Sequence, residues 1–115
     1  MQVEAICVKI NAMNIAELPI PIDRAMIAEF CRARGIHKLS LFGSVLRADF
    51  DPARSEVDVL AELLPTAKPG WEFFGWHEVL APIFGRQVDL HTPNSLSSYF
   101  RDEVLREALK IYEQA

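Results

Sequence analysis

Three acidic residues of this sequence lie inside segments that otherwise look like buried strands. Glu56 and Asp58 are separated by a single residue in the run SEVDVLAEL, and Asp89 lies between apolar neighbours in QVDLH. Side chains two apart on a strand point to the same face, so Glu56 and Asp58 should project together. A carboxylate in such a place is rarely buried unless it is paired. If the two strands are neighbours, Asp89 can join the other two acids.

The three acids together predict a site for divalent metal ions. Like charges at this spacing repel, and one acid would keep its proton unless a cation neutralises the pair. Ligand sets made only of oxygen suit Mg²⁺ or Mn²⁺ rather than zinc. Carboxylates on adjacent strands can hold two such ions, which clamp the attacking and leaving oxygens of a phosphoryl transfer. We therefore predict Glu56, Asp58 and Asp89 as metal ligands and catalytic residues.

A Gly-Ser pair precedes the acids, at the end of the predicted strand KLSLF. Gly43 would let a ligand approach the backbone, and the amide and hydroxyl of Ser44 could hold phosphate oxygens. Such a pair alone is a weak signal. Followed by a loop, an acid-x-acid strand and a further strand aspartate, it is far more specific for nucleotide chemistry.

Other polar residues have simpler interpretations. Asp49 and Asp51 fall in the predicted loop 44–55 and are interpreted as turn formers, and Arg54 as a solvated loop arginine. The histidines share no metal-ligand spacing, although His91 follows Asp89 on the same strand face and is the best placed of them. The histidines are His37, His77 and His91.

Hydrophobic periodicity predicts the elements that must position these residues. A helix should run from Asp23 to Gly35 and another over 71–84, with strands at 38–42, 57–63 and 86–92, and a long helix should close the chain within 92–114. This order predicts an α/β protein of the α+β sandwich type, in which helices pack on a short sheet. Residues 1–18 are interpreted as an N-terminal extension or an extra strand, and residues 19–115 as one domain.

The composition narrows the class of protein. The chain has 115 residues, a net charge of −4 and a pI of about 5.3, and this acid excess argues against direct nucleic-acid binding. No apolar stretch approaches the roughly 20 residues that span a bilayer, and no signal peptide is evident. Cys7 and Cys31 are expected to be reduced, so a cytoplasmic location is expected. The aromatic cluster around residues 71–76 is interpreted as core with some exposed surface, or as a partner-binding patch.

The motif resembles that of the nucleotidyltransferase superfamily, which is Gly-Ser, a spacer, Asp-x-Asp and a distal Asp. The short chain looks like the minimal nucleotidyltransferases, the antitoxins of HEPN/MNT toxin–antitoxin pairs. The stretches LSLFGSVLRADF, EFFGW and VDLHTPNSLSSYFRDEVLREA resemble that family beyond the acids. The resemblance implies a nucleotidyltransferase fold with a short mixed sheet flanked by helices.

The resemblance also implies an activity, namely Mg²⁺- or Mn²⁺-dependent transfer of AMP from ATP to a tyrosine of a HEPN-domain ribonuclease toxin. Gly43 and Ser44 would then hold the triphosphate, with Arg47 steadying a phosphate. Asp58 would bridge the ions, and Asp89 would complete the site and help to activate the tyrosine hydroxyl. Glu56 departs from the family pattern, which has Asp at this position.

The departure at Glu56 leaves alternatives open. Glutamate moves its carboxylate by about 1.5 Å, and a misplacement of about 1 Å can lower a rate on the order of a hundredfold. A weakly active antitoxin that neutralises its toxin by binding alone is therefore the second interpretation. A third is nucleotide transfer to a small molecule such as an aminoglycoside, although such enzymes usually carry a further acceptor domain.

Overall fold

The described residues form a mixed four-stranded sheet against which helices pack. A computed structural model describes residues 15–47, 50–51 and 53–114. The strands are β1 (Ile36–Phe42), β2 (Val57–Leu63), β3 (Val88–His91) and β4 (Leu109–Glu113), and the α-helices are α1 (Arg24–Arg34), α2 (Trp76–Phe84) and α3 (Arg101–Glu107). Across the sheet the order is β3-β2-β1-β4. Strand β1 is antiparallel to β2 and β4, whereas β2 and β3 are parallel. The predicted α+β sandwich with a short mixed sheet is confirmed.

Helix α1 begins and ends where the sequence predicts. The side chain of Asp23 accepts a hydrogen bond from the backbone N–H of Met26 at 3.1 Å, which is a standard N-cap. Gly35 ends the helix with a φ of 71°, a conformation that glycine adopts without strain. The helix buries Cys31, and burial raises the pKa of this thiol to about 12, as expected for a packed, reduced cysteine.

The core lies between the helices and one face of the sheet. Helix α1 contacts β1, and α2 contacts β3. On β2 the core residues alternate along the strand, so the residues between them face the other side. The β2 core residues are Val57, Val59 and Ala61. Leu18 and Ile20 are also buried in this core, so the segment before α1 packs on the domain. The core therefore fixes β2 so that Asp58 points away from it.

The prediction of one long C-terminal helix within 92–114 is wrong. The structure has a short 3₁₀ turn at Pro93–Ser95, then α3, and then β4, which pairs with β1. At Ala108 the backbone becomes extended, with a ψ of 136°. From there the burial alternates, because Ile111 is buried while Lys110 is exposed. The apolar spacing fits either a helix or a strand, and pairing with the free edge of β1 decides between them.

Other element boundaries differ in smaller ways. The predicted helix over 71–84 is a 3₁₀ turn at Gly70–Gly75 followed by α2, which ends at Gly85 as expected. The predicted strand 38–42 begins earlier, at Ile36, and the predicted strand 86–92 is limited to β3. Residues 1–18 are interpreted from the sequence as an extension or an extra strand, and residues 1–14 of that segment lie outside the described part of the chain. Within the described part of the chain, no helix combines the length and apolarity that crossing a membrane requires.

Candidate active site

Asp58 and Asp89 lie side by side on the face of the sheet opposite the core. Because β2 and β3 are parallel and in register, Asp58 is directly opposite Asp89. Asp58 is half-buried, whereas Asp89 lies on an edge strand and is exposed. The sequence pattern predicted that Asp89 would join Asp58, and the register provides the reason that it does.

His91 completes a compact group of three with the two aspartates. It lies two residues after Asp89 on β3, and its Nε2 is 3.0 Å from Asp89 Oδ2. One ligand atom from each of Asp58, Asp89 and His91 lies within 4.8 Å of the other two. The ring of Phe42 meets the imidazole edge to face at 5.5 Å between centroids, which helps to fix its orientation. The only sequence signal for His91 was its spacing from Asp89.

Position 43 requires a glycine because the Asp58 carboxylate occupies the space that a Cβ there would take. The residue before it, Phe42, pairs with Asp58 across β1 and β2. A Cβ placed on Gly43 would collide with Asp58 Oδ2 and would lie 3.3 Å from Asp58 Cγ. Gly43 also has a φ of 77°, which disfavours other residues. The glycine of the Gly-Ser pair thus admits the Asp58 carboxylate.

Ser44 lies in the 3₁₀ turn that follows β1, and Arg47 is the residue immediately after that turn. The turn spans Gly43–Leu46, and the backbone N–H of Arg47 donates to the carbonyl oxygen of Ser44 at 2.9 Å. Ser44 is half-buried and Arg47 is exposed. The turn begins at Gly43, which lies against Asp58, and the positive charge of Arg47 lowers the pKa of the Asp58 carboxyl.

The electrostatics of the site converge on Asp58. Burial of its carboxyl raises the pKa of Asp58, and the negative charge of Asp89 raises it further, with a smaller contribution from Glu56. The positive charges of His91 and Arg47 lower it. A divalent cation between the carboxylates would remove this repulsion. The two carboxylates offer the oxygen donors that Mg²⁺ and Mn²⁺ bind, so these residues fit either ion.

Glu56 lies at the rim of the site. It immediately precedes β2, is exposed, and is not in the group whose ligand atoms lie within 4.8 Å. It lines a cavity of about 460 Å³ together with Asp89 and His77. The structure thus brings Asp58 and Asp89 together beside Gly43, the residue before Ser44, and leaves Glu56 outside the compact group. Its role as a metal ligand stays a prediction.

The loop between β1 and β2 contains a turn built on Asp51. The side chain of Asp51 accepts a hydrogen bond from the backbone N–H of Ala53 at 3.0 Å. The exposed Arg54 lies 3.9 Å from the same carboxylate. The interpretation of Asp51 as a turn former is therefore confirmed, while Asp49 lies outside the described residues.

The aromatic cluster at 71–76 is divided between core and surface, as predicted. Trp76 is buried, whereas Trp71 and Phe74 are 88% and 67% exposed. Phe73 and Phe74 line a cavity of about 230 Å³ with Asp89. The exposed aromatic surface therefore adjoins the aspartate site.

Comparison with known proteins assigns the chain to a family. The sequence model of the nucleotidyltransferase domain matches residues 24–111, which include every strand and helix described above except the last residues of β4. The chain therefore belongs to the nucleotidyltransferase domain family, as the motif predicted. No curated protein matches the chain.

Several solved structures share the fold. A protein assigned as a minimal nucleotidyltransferase is 26% identical, with a TM-score of 0.61, and the match covers 75% of this chain and 86% of that one. A toxin–antitoxin structure with AMP-PNP is 18% identical, with a TM-score of 0.61 and coverage of 81% and 75%. A third match is to a chain in the complex of a tri-AMPylated Shewanella oneidensis HEPN toxin with MNT antitoxin. It is 18% identical, has a TM-score of 0.55, and covers 79% of this chain and 70% of that one. The minimal nucleotidyltransferase fold is confirmed.

Proposed function

We propose that this protein is a cytoplasmic antitoxin that transfers AMP from ATP to a tyrosine of a cognate HEPN-domain toxin and thereby silences it. The observation that carries the proposal is the convergence of Asp58 and Asp89 beside the Gly43–Ser44 turn, within a chain of the nucleotidyltransferase family. Such an arrangement holds a nucleotide's phosphates and a divalent ion next to an open surface.

Different residues of the site bind the phosphates and the metal ion during the transfer. The amide and hydroxyl of Ser44, with Arg47, hold the triphosphate oxygens, and Gly43 admits both the phosphates and the Asp58 carboxylate. Asp58 and Asp89 hold Mg²⁺ or Mn²⁺, which when bound offsets the negative charge of the phosphates. Glu56 adds negative charge from the rim.

The reaction we propose joins the tyrosine hydroxyl oxygen to the α-phosphorus of ATP. The bond between that phosphorus and the β-phosphate oxygen breaks, and pyrophosphate leaves. The tyrosine proton passes to the carboxylate of Asp89, which is suited to this role because its side chain is 50% exposed at the sheet edge. Asp58 is more enclosed and keeps its place against Gly43.

The structural neighbours support a HEPN toxin as the acceptor and ATP as the nucleotide. One of them is a toxin–antitoxin structure that contains AMP-PNP, an ATP analogue, and another contains a HEPN toxin carrying three AMP groups. These proteins share the fold of this chain, and the aspartate site of this chain provides the groups that such a transfer requires.

A second candidate function is neutralisation of the toxin by binding alone. The exposed position of Glu56 favours it, because among the described residues the compact group at the site then contains two carboxylates, those of Asp58 and Asp89. Both candidates predict a gene for a small helical HEPN protein beside the gene for this chain.

The deciding experiment incubates the protein with α-labelled ATP, Mg²⁺ and the HEPN protein encoded by the adjacent gene. We expect label on a toxin tyrosine with the natural protein and with Asp51→Asn, a control in the loop turn, and none with Asp58→Asn. A toxin that stays inhibited without ATP, and equally with Asp58→Asn, would establish the binding candidate instead. Absence of both labelling and inhibition would remove the antitoxin proposal.

A further inference from the structure

We propose that His91 is itself a ligand of the divalent ion, together with Asp58 and Asp89. This inference rests on the proposed function, which places an ion at this site. It differs from the three-carboxylate prediction because the third donor is an imidazole nitrogen from β3 rather than the Glu56 carboxylate.

The distances among the three side chains fit a shared ion. Neighbouring ligand atoms of an octahedral shell with bonds of about 2.1 Å lie about 3 Å apart. The separation of His91 Nε2 from Asp89 Oδ2 is 3.0 Å, and all three ligand atoms lie within 4.8 Å of one another. One donor atom from each of the three side chains could therefore bind a single ion with little rearrangement. Glu56 lies outside this group.

The fold holds the imidazole in this place. His91 is paired with Leu60 in the parallel ladder, so its backbone is fixed two residues beyond the Asp58–Asp89 pair. The edge contact with Phe42 limits rotation of the ring, and the side chain is only 26% exposed. A ligand that is already oriented loses little conformational freedom when it binds an ion.

An imidazole ligand would change the metal preference of the site. Carboxylates suit both Mg²⁺ and Mn²⁺, but a nitrogen donor favours the transition metal, because affinity rises along the first-row series and Mg²⁺ prefers oxygen. We therefore expect the protein to bind Mn²⁺ more tightly than Mg²⁺ and to owe much of that difference to His91.

The competing role for His91 is that of a positioning residue. Its N–H could donate a hydrogen bond to Asp89 and orient that carboxylate without touching the ion, as many residues next to metal ligands do. In that case Mn²⁺ would bind, but no nitrogen would be coordinated to it.

The test uses Mn²⁺ alone as the probe and pulsed electron paramagnetic resonance as the readout. The chain contains three histidines, so the double variant His37→Gln/His77→Gln leaves His91 as the sole imidazole. We expect coupling to a directly bound imidazole nitrogen in the natural protein and in this double variant. In His91→Gln we expect the coupling to vanish and the dissociation constant for Mn²⁺ to rise on the order of tenfold or more, with a smaller change for Mg²⁺. Circular dichroism would verify that each variant is folded.

The outcomes separate this inference from the proposed function. Binding of Mn²⁺ to the natural protein without nitrogen coupling would overturn the ligand role of His91 and leave the proposed function standing. Loss of the coupling in the double variant, with the signal retained in His91→Gln, would also overturn it. Failure of the natural protein to bind Mn²⁺ at all would overturn both this inference and the metal site of the proposed function.

Discussion

Replacing Gly43 by alanine should abolish the activity while leaving the protein folded. A Cβ at this position would collide with Asp58 Oδ2 and press on Asp58 Cγ. The carboxylate would have to turn away from Asp89, or the end of β1 would have to move. Either shift displaces Asp58 by a distance of the order of an ångström.

The expected magnitudes follow from these contacts. A displacement of about 1 Å can lower a transfer rate on the order of a hundredfold, so we expect at least that loss for Gly43→Ala. The left-handed backbone at φ 77° adds strain of about 1–2 kcal/mol for any L-residue. For a domain of this size that strain should lower the melting temperature by several degrees.

The matched control for this variant is Gly85→Ala. Gly85 has nearly the same φ, 75°, but a Cβ there meets nothing within 4 Å. Both variants should therefore lose similar stability from backbone strain, and Gly43→Ala alone should lose Mn²⁺ binding and AMP transfer. Thermal melts, Mn²⁺ titrations and labelled-ATP assays on the two variants make the comparison. Transfer by Gly43→Ala within a few-fold of the natural rate would refute the steric argument, as would an equal loss in Gly85→Ala.

Three further predictions concern the acids. Asp58→Asn should raise the free energy of unfolding of the metal-free protein at pH 7, because carboxylates at most 4.8 Å apart repel by about 1 kcal/mol once solvent screening is included. Since the folded-state pKa of Asp58 is raised, this gain in the free energy of unfolding should shrink as the pH falls through that pKa towards about 4. Urea titrations at several pH values measure the gain, and a gain that does not change with pH would contradict this prediction. Glu56→Gln should weaken Mn²⁺ binding by less than about threefold, because an exposed charge at the rim is well screened by solvent. If calorimetry shows a loss of Mn²⁺ affinity as large as that caused by Asp58→Asn, Glu56 is a metal ligand. Asp89→Asn should slow AMP transfer on the order of a hundredfold or more even at saturating ATP, since in the proposed reaction its carboxylate accepts the tyrosine proton. An unchanged turnover would exclude that role.

Much of the site could be predicted from the sequence because its residues sit on regular strands. The two-residue period of a strand orients Asp58 opposite Val57 and Val59 whatever the rest of the fold does. The proximity of Asp89 required one more assumption, that β2 and β3 are neighbours, and the parallel register satisfies it. The acid pair could therefore be predicted from the strand pattern together with this one assumption about which strands are neighbours.

Other features depend on tertiary structure and have no local signal. Strand β2 begins at Val57, where its pairing with Val88 of β3 begins, so Glu56 lies just before the strand, and whether it shares the face of Asp58 stays a prediction. The reason for Gly43 lies in a carboxylate that arrives from another strand. At the C-terminus, Leu109 and Ile111 fit a helix or a strand equally well, and the unpaired edge of β1 determines the result. Each of these depends on a neighbour that is distant in the sequence.

In the proposed function, Asp58 and Asp89 act together in the transfer of AMP to the toxin. The most direct test is mass spectrometry of the toxin after co-expression with the natural protein and with the Asp58→Asn/Asp89→Asn variant. We expect the natural protein to leave AMP on a toxin tyrosine and the double variant to leave the toxin unmodified. A toxin that carries the same AMP groups with both proteins, or none with either, would contradict the proposed function.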